Sequence, residues 1–457
     1  MNRLLRLVTG AFAFAWMAAS VQAQATDKPA VPVPETYFPA LAQLLESAAK
    51  LSPRMVARNA DDAVAEANRV VARSGQLPNV GGNLQYNGWQ RDKRVDLPAP
   101  TNLTRFSYNL NLVQPLYHWG ALENNTRIGE LQLKIAQGQT AEAYRLLVQE
   151  IRAQFLQLAI RKTALARARL SRDLAAQQLK LAEEKLELKV IAASDIYYVR
   201  MNLTQANLAL DRSQEDYDSA RRALAKLSGT PELGDGQVPD SIPVVPVAMN
   251  DLAVPMAGIG GGSPPESNGL RALERQIQIE QLSYKNATTR LKPKFNFILG
   301  VTQDQQSYTS NIGAKYGVQS YYVGTSVSWS MFDGFATRGL KAGSLARRRQ
   351  LEQSYREMSA DLVERVQGQL RQLGLAARSM AISDEFLLLG ENGVRVRQED
   401  LARGSASQAD VDSARLSLLD NRINAYNARL DFLLRTAEYL STLAKDPAVA
   451  NFSAPHP

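Results

Sequence analysis

The chain has 457 residues, 45% of them hydrophobic but only 7% aromatic and 21% charged, a balance that suits extended helix more than a compact globule. It has no cysteine, which excludes disulfides, thiolate metal sites and a lipidated N-terminal cysteine. The net charge is +8, but the basic residues are scattered among acids, which reads as a solvated helix surface and speaks against a nucleic-acid partner.

Residues 1–23 read as a signal peptide. Arg3 and Arg6 form a basic lead, Leu7–Ala19 is an uncharged apolar run, and Val21-Gln22-Ala23 offers a small-x-small cleavage site. That run is shorter than the roughly 20 residues of a spanning helix, and no other segment comes close. Without Arg3 and Arg6 the charge is +6, from 51 basic and 45 acidic residues.

After the proline-rich Lys28–Pro34, a helical pattern runs from about Glu35 to Ser74, broken near Ser52-Pro53 and stopped by Gly75 and Pro78. A hairpin follows, with strands over about 79–89 and 104–116. In the second strand Phe106, Tyr108, Leu110 and Leu112 alternate with Ser107, Asn109 and Asn111, giving one apolar and one polar face. Gln114-Pro115-Leu116-Tyr117 ends the alternation, because proline cannot donate to a central ladder.

From Ala121 to about Lys189 there is no proline, and Leu147, Ile151, Phe155 and Leu158 recur at helical spacing. At 1.5 Å per residue this predicts one helix of roughly 100 Å. Val190–Ser194 interrupts it, with Ser194 placed to cap the next helix. There Ile196, Leu203, Leu210, Tyr217 and Leu224 form a coiled-coil seam, which Gly229 and Pro231 close.

Residues 233–265, rich in proline and glycine, read as a linker or equatorial segment; the glycine run 258–262 lacks the spacing of a phosphate loop. The cycle then starts again: a helix from Glu266, strands over about 294–302 and 319–332, a second long helix to about Ala402, Gly404, and a return helix with its seam from Leu416 to Leu440. Pro78 and Pro293, Tyr117 and Phe332, and Asp195 and Asp410 are each 215 places apart. This is a tandem duplication, with repeats over 24–232 and 266–447 and a tail over 448–457.

Each half is thus a helix, a β-hairpin, a long helix, a tight turn and a returning helix. The halves predict a rod of antiparallel helices with hairpins at one end and helix turns at the other. The strand alternation suits a wall between lipid and water, although a soluble sheet lying on helices alternates in the same way. Four strands cannot close a barrel, for which about eight are needed, and open edges are not tolerated in lipid. Two, three or four chains sharing a barrel would supply eight, twelve or sixteen strands.

In this arrangement the chain resembles the TolC-like outer-membrane efflux proteins. The resemblance rests on the duplicated order, the prolines opening the first strand of each half, and the junctions Gln114-Pro115-Leu116-Tyr117 and Met331-Phe332-Asp333-Gly334. It rests also on the turn segments Ala193-Ser194-Asp195-Ile196 and Gly404–Val411. It implies a mainly α fold with a β-barrel part, in which a homotrimer shares one twelve-stranded barrel in the outer membrane above a helical periplasmic tunnel. It also implies outer-membrane lipid, a periplasmic adaptor and an inner-membrane pump as partners, in small-molecule efflux or type I secretion.

No enzyme is expected. The only histidines, His118 and His456, lack partners for a metal site or a triad, and no G-x-S-x-G, P-loop or H-E-x-x-H occurs, so no cofactor is expected either. Asp195 and Asp410 stand just past the two turns, where a first-turn acid is favoured by the helix dipole. The resemblance implies more: Asp410 matches an aspartate of a selective ring at the tunnel mouth, and Asp195 an acid of the network that holds the mouth closed. The match is incomplete. Leu401 stands where a tyrosine is expected, Ala406 replaces an arginine, Ser413 with Asp412 beside it replaces a second ring aspartate, and Lys189 replaces a glycine. The closing network is therefore expected to draw on Ser194, Lys189, Arg403 or Asp412. The rival readings are a periplasmic adaptor and a structural coiled coil without a channel; neither calls for two strand pairs at one offset.

Overall fold

The computed structural model describes residues 33–92, 101–246, 265–306 and 316–450. The signal peptide, the glycine run 258–262 and His456 lie outside the described residues. Three helices lead the chain: α1 (Pro34–Tyr37), α2 (Pro39–Leu51) and α3 (Pro53–Ser74), each opened by a proline whose missing N–H costs nothing in the first turn. The hairpin β1 (Asn79–Asp92) and β2 (Thr101–Tyr117) feeds α4 (Ala121–Glu187), and α5 (Ala193–Ser228) returns. The second half runs α6 (Asn268–Thr289), β3 (Lys294–Gln306), β4 (Tyr316–Ser328), α7 (Ala336–Ala402) and α8 (Gln408–Thr442), with a last turn α9 (Pro447–Ala450). Helices α4 and α7 have 67 residues each, about 100 Å at the α-helical rise.

The duplication is written into the backbone. Eight described residues have positive φ, and they form four pairs 215 places apart: Trp119 with Gly334, Gly120 with Phe335, Lys189 with Gly404, and Gly229 with Ala444. They mark the strand-to-helix junctions, the turns between long and return helices, and the ends of the return helices. Each site needs a left-handed residue, yet only four of the eight are glycine.

The strands form one antiparallel sheet in sequential order, β1-β2-β3-β4, so that β2 against β3 joins the halves and β1 and β4 are the edges. Register brings the apolar alternants onto one face: Val80 opposite Leu112, Leu112 opposite Leu299, and Leu299 opposite Val323. The opposite face carries Asn83 against Asn109, Asn111 against Gly300, and Asn296 against Ser326. Strand β4 ends at Ser328 and not at 332 as its alternation predicts, because its partner begins at Lys294 after Pro293 and leaves Trp329 nothing to pair with. Trp329 instead turns its indole N–H to the Leu291 carbonyl, 2.9 Å away.

Below the sheet, α4 packs along α3, α5, α6 and α8, while α7 packs on α6 and α8. Leu147, Ile151, Phe155 and Leu158 lie at the centre of the core. Residues 233–246 are laid against the rod: Leu233, Val238, Ile242 and Val245 are buried in that core, and Arg429 donates to the Ile242 carbonyl. The same region holds an ion triad. Arg152 of α4 is wholly buried and donates to Glu35 of α1 at 2.6 and 3.1 Å and to Asp446 at 2.6 and 2.8 Å, so one guanidinium ties both ends of the described chain to the first long helix. The bonds from both carboxylates raise its pKa against the opposing effect of burial.

Candidate pore entrance at the helix turns

The two turns share a C-terminal geometry. At the end of α4, Lys189 N–H donates to the Leu186 carbonyl at 2.9 Å and Val190 N–H to Lys185 at 2.9 Å. At the end of α7, Gly404 donates to Leu401 at 3.0 Å and Ser405 to Asp400 at 2.9 Å. Both are Schellman closures, whose left-handed position favours glycine. The second turn has that glycine, with φ +78°; the first places Lys189 there at φ +57°, exposed to solvent.

The following N-termini differ in kind. Helix α8 is capped by Ser407: its hydroxyl accepts from Asp410 N–H at 3.2 Å, and Asp410 Oδ2 accepts from Ser407 N–H at 2.8 Å and from its hydroxyl at 2.7 Å. This is a full capping box. Helix α5 was expected to be capped by Ser194, and it is not. It starts at Ala193, so Ala192 holds the cap position with no side-chain acceptor. Only the return half of the box remains, Ala192 N–H to Asp195 Oδ2 at 3.3 Å. Ser194 lies inside the first turn and donates to Asp195 Oδ1 at 3.4 Å.

Asp195 and Asp410 are both exposed at the N-terminus of a return helix. The hydroxyl and backbone N–H of Ser407 hold the Asp410 carboxyl below the usual aspartate range, with a further push from Arg397. Asp412 is engaged within α8 by Gln408 at 3.0 Å and Arg415 at 3.4 Å, and Arg403 lies 3.7 Å from Glu399. Within one chain, no hydrogen bond or ion pair among the described residues joins the first turn to the second, so Lys189, Ser194, Arg403 and Asp412 do not form one network there. Ser407 was missed as a functional partner of Asp410; the Ser-x-x-Asp spacing ahead of a helix was the available signal. Among the described residues no group of three or more His, Cys, Asp or Glu could hold a metal ion, and no helix is long and apolar enough to cross a membrane.

A sheet with one apolar face and two open edges, standing on antiparallel helices that end in acid-bearing turns, defines a channel-tunnel subunit. The family model described as "Outer membrane efflux protein" matches residues 44–230 and 266–443, one segment in each repeat. The chain belongs to this family of outer-membrane channels that extend into the periplasm. Solved structures share the fold. The CmeC outer membrane channel of Campylobacter jejuni superposes with a TM-score of 0.69 at 13% identity, covering 92% of this chain and 87% of that one. The outer-membrane channel OprN gives 0.67 at 17%, covering 91% and 92%. The open state of Neisseria gonorrhoeae MtrE gives 0.61 at 14%, covering 89% of each chain. No curated protein sequence matches. The adaptor and coiled-coil readings are not favoured.

Proposed function

We propose that three copies of this chain close one twelve-stranded barrel, and that their stacked helices form a periplasmic exit duct whose mouth is built from the two turns of each copy. The carrying observation is the sheet: β1 and β4 each leave one edge unpaired, which lipid does not tolerate, and the edges of neighbouring copies would satisfy each other. Three is the number supported by the trimeric channels of the family. Repeats 24–232 and 266–447 would each give one hairpin and one turn, with residues 233–246 of the segment between them laid against the helices.

At the mouth, each copy contributes Asp195 and Asp410, a ring of fixed negative charge that favours cations. Lys189, Ser194, Arg403 and Asp412 stand close enough in sequence to those turns to bridge neighbouring copies and keep the mouth closed. A periplasmic adaptor would dock on the turns and link the duct to an inner-membrane pump, which supplies the energy. The duct itself performs no chemistry; it passes small molecules in efflux or a protein in type I secretion.

The test is the mass of the detergent-solubilised particle, corrected for bound detergent, before and after heating. Three chains that separate only on heating support the shared barrel; a monomer, or a particle soluble without detergent, removes it. In a planar bilayer, Asp410→Ala is expected to lower cation selectivity and weaken divalent block, and unchanged selectivity would refute the ring.

A further inference from the structure

The strand-to-helix junction holds a feature that the exit duct does not use. Two tryptophans, one from each half, donate to the same short segment: Trp119 Nε1 to the Pro293 carbonyl at 2.7 Å and Trp329 Nε1 to the Leu291 carbonyl at 2.9 Å. Between those carbonyls stands Lys292, whose ammonium lies 4.4 Å from the centre of the Trp119 ring. Trp119 in turn lies tilted against Tyr117, 4.9 Å between ring centres, and Tyr117 pairs with Phe295, which pairs with Val327 on the apolar face. Lys292 therefore stands at the rim of the sheet's apolar face, between two carbonyls held by indoles. Lys294 differs: it stands opposite Ser328 in the alternation of the polar face.

The surroundings are aromatic and basic together. Trp329 is 56% exposed, Phe332 and Phe335 stack edge-to-face at 5.5 Å with both rings in solvent, and Met331 is exposed beside them. Over residues 285–292 and 329–341 the chain carries Lys285, Arg290, Lys292, Arg338 and Lys341 against Asp333 alone. Asp333 is already engaged by the Thr337 N–H and hydroxyl at 2.9 and 2.6 Å and by Arg290 at 3.5 Å. The first half lacks the feature, with exposed Leu77 at the place of Lys292.

We propose that this junction is a binding surface for anionic phospholipid headgroups of the periplasmic leaflet, with Lys292 as the phosphate contact, Arg290 beside it, and Trp119, Trp329, Phe332 and Phe335 seated at the level of the ester groups. The surface is continuous with the lipid-facing sheet, which sets its occupant: amphipathic rings settle at the membrane interface, and each basic side chain there enriches anionic lipid about fivefold. The two indole bonds fix the backbone carbonyls on either side of Lys292, and the Trp119 ring beside its ammonium reduces the side-chain freedom lost on binding. The proposal rests on the outer-membrane barrel and is independent of the mouth and its aspartates.

The probe is fluorescence of the full chain carrying Trp89→Phe, which keeps Trp119 and Trp329 as the only tryptophans beyond the signal peptide. The protein is reconstituted in phosphatidylethanolamine vesicles doped with brominated phosphatidylglycerol or, at equal fraction, brominated phosphatidylcholine. The anionic quencher is expected to act several-fold more strongly, and raised ionic strength to abolish the difference. Adding Arg290→Gln and Lys292→Gln should equalise the two quenchers while quenching by phosphatidylcholine stays as before, showing that the barrel is still embedded. Lys292→Arg should keep the preference. Equal quenching before any charge is removed, or a preference that survives salt or the double substitution, overturns the proposal, whether or not the trimer itself is found.

Discussion

Helices α4 and α7 hold equivalent places in two copies of one unit, yet they meet different surroundings. Leu147, Ile151, Phe155 and Leu158 are answered 215 places later by Leu362, Val366, Leu370 and Leu373, and both stripes face the core. One step further the likeness ends: Ile160 is 5% exposed and its counterpart Leu375 is 64% exposed. Helices α2, α3, α5, α6, α8 and α9 all pack on α4, whereas α6 and α8 flank α7, whose Phe386, Leu388 and Leu389 also stand bare. Duplication copies the register of a helix but not its cover. The uncovered flank lies in the second half, where the proposed ring of copies would close.

The largest expected effect is at Arg152, whose counterpart Gln367 carries no charge. Arg152→Met leaves the buried Asp446 and the part-buried Glu35 without their cation, and should cost about 3–5 kcal/mol by denaturant unfolding followed by circular dichroism. Neutralising all three members together should recover most of it; a single variant as stable as the parent would show the triad to be ornamental. Next come the ends of the return helices. A Cβ at Gly229 would run into the Leu51 carbonyl, so Gly229→Ala should lose about 2–3 kcal/mol, while Ala444→Gly, at the same left-handed position, should gain about 1 kcal/mol.

The turns should respond less and in opposite directions. Ala192→Ser and Lys189→Gly bring the first turn to the pattern of the second and should stabilise the start of α5 and the end of α4 respectively, each by about 1 kcal/mol, read as slower amide exchange over residues 185–197. Ser407→Ala should loosen α8 by a similar amount. The smallest effect is on pH. Because Ser407 depresses the Asp410 pKa, the capping-box contribution is present above the ordinary carboxylate pKa and lost as pH falls through the lowered one. In Ser407→Ala, loss of cation selectivity on acidification should therefore begin at a higher pH, as measured by reversal potentials.

Much of the architecture was legible because it depends on period. The strands announce themselves by alternation, the long helices by Leu147–Leu158 spacing, and the duplication by landmarks at one offset. What escaped depends on geometry between distant or aperiodic residues. The partners of Arg152 are 117 and 294 places away, and nothing in either local pattern points across that gap. Residues 233–246 have no period, so the burial of Ile242 could not be read from them. Ser194 was the better capping residue by type, but Schellman closure at Val190 sets the helix start and puts Ala192 at the cap. For the mouth, the two aspartates and the Lys189 departure were visible; the bonds from Ser407 that lower the Asp410 pKa were not.

The triad at Arg152 also has a meaning in time. Its first carboxylate precedes the arginine by 117 residues and its second follows it by 294, so in a chain made from its N-terminus the arginine meets Glu35 long before Asp446 exists. A product cut short before Asp446 keeps a dry, half-answered cation at the middle of the rod. Such a chain would hold a buried guanidinium with half of its compensation missing, and it should be less stable than one that reaches Asp446.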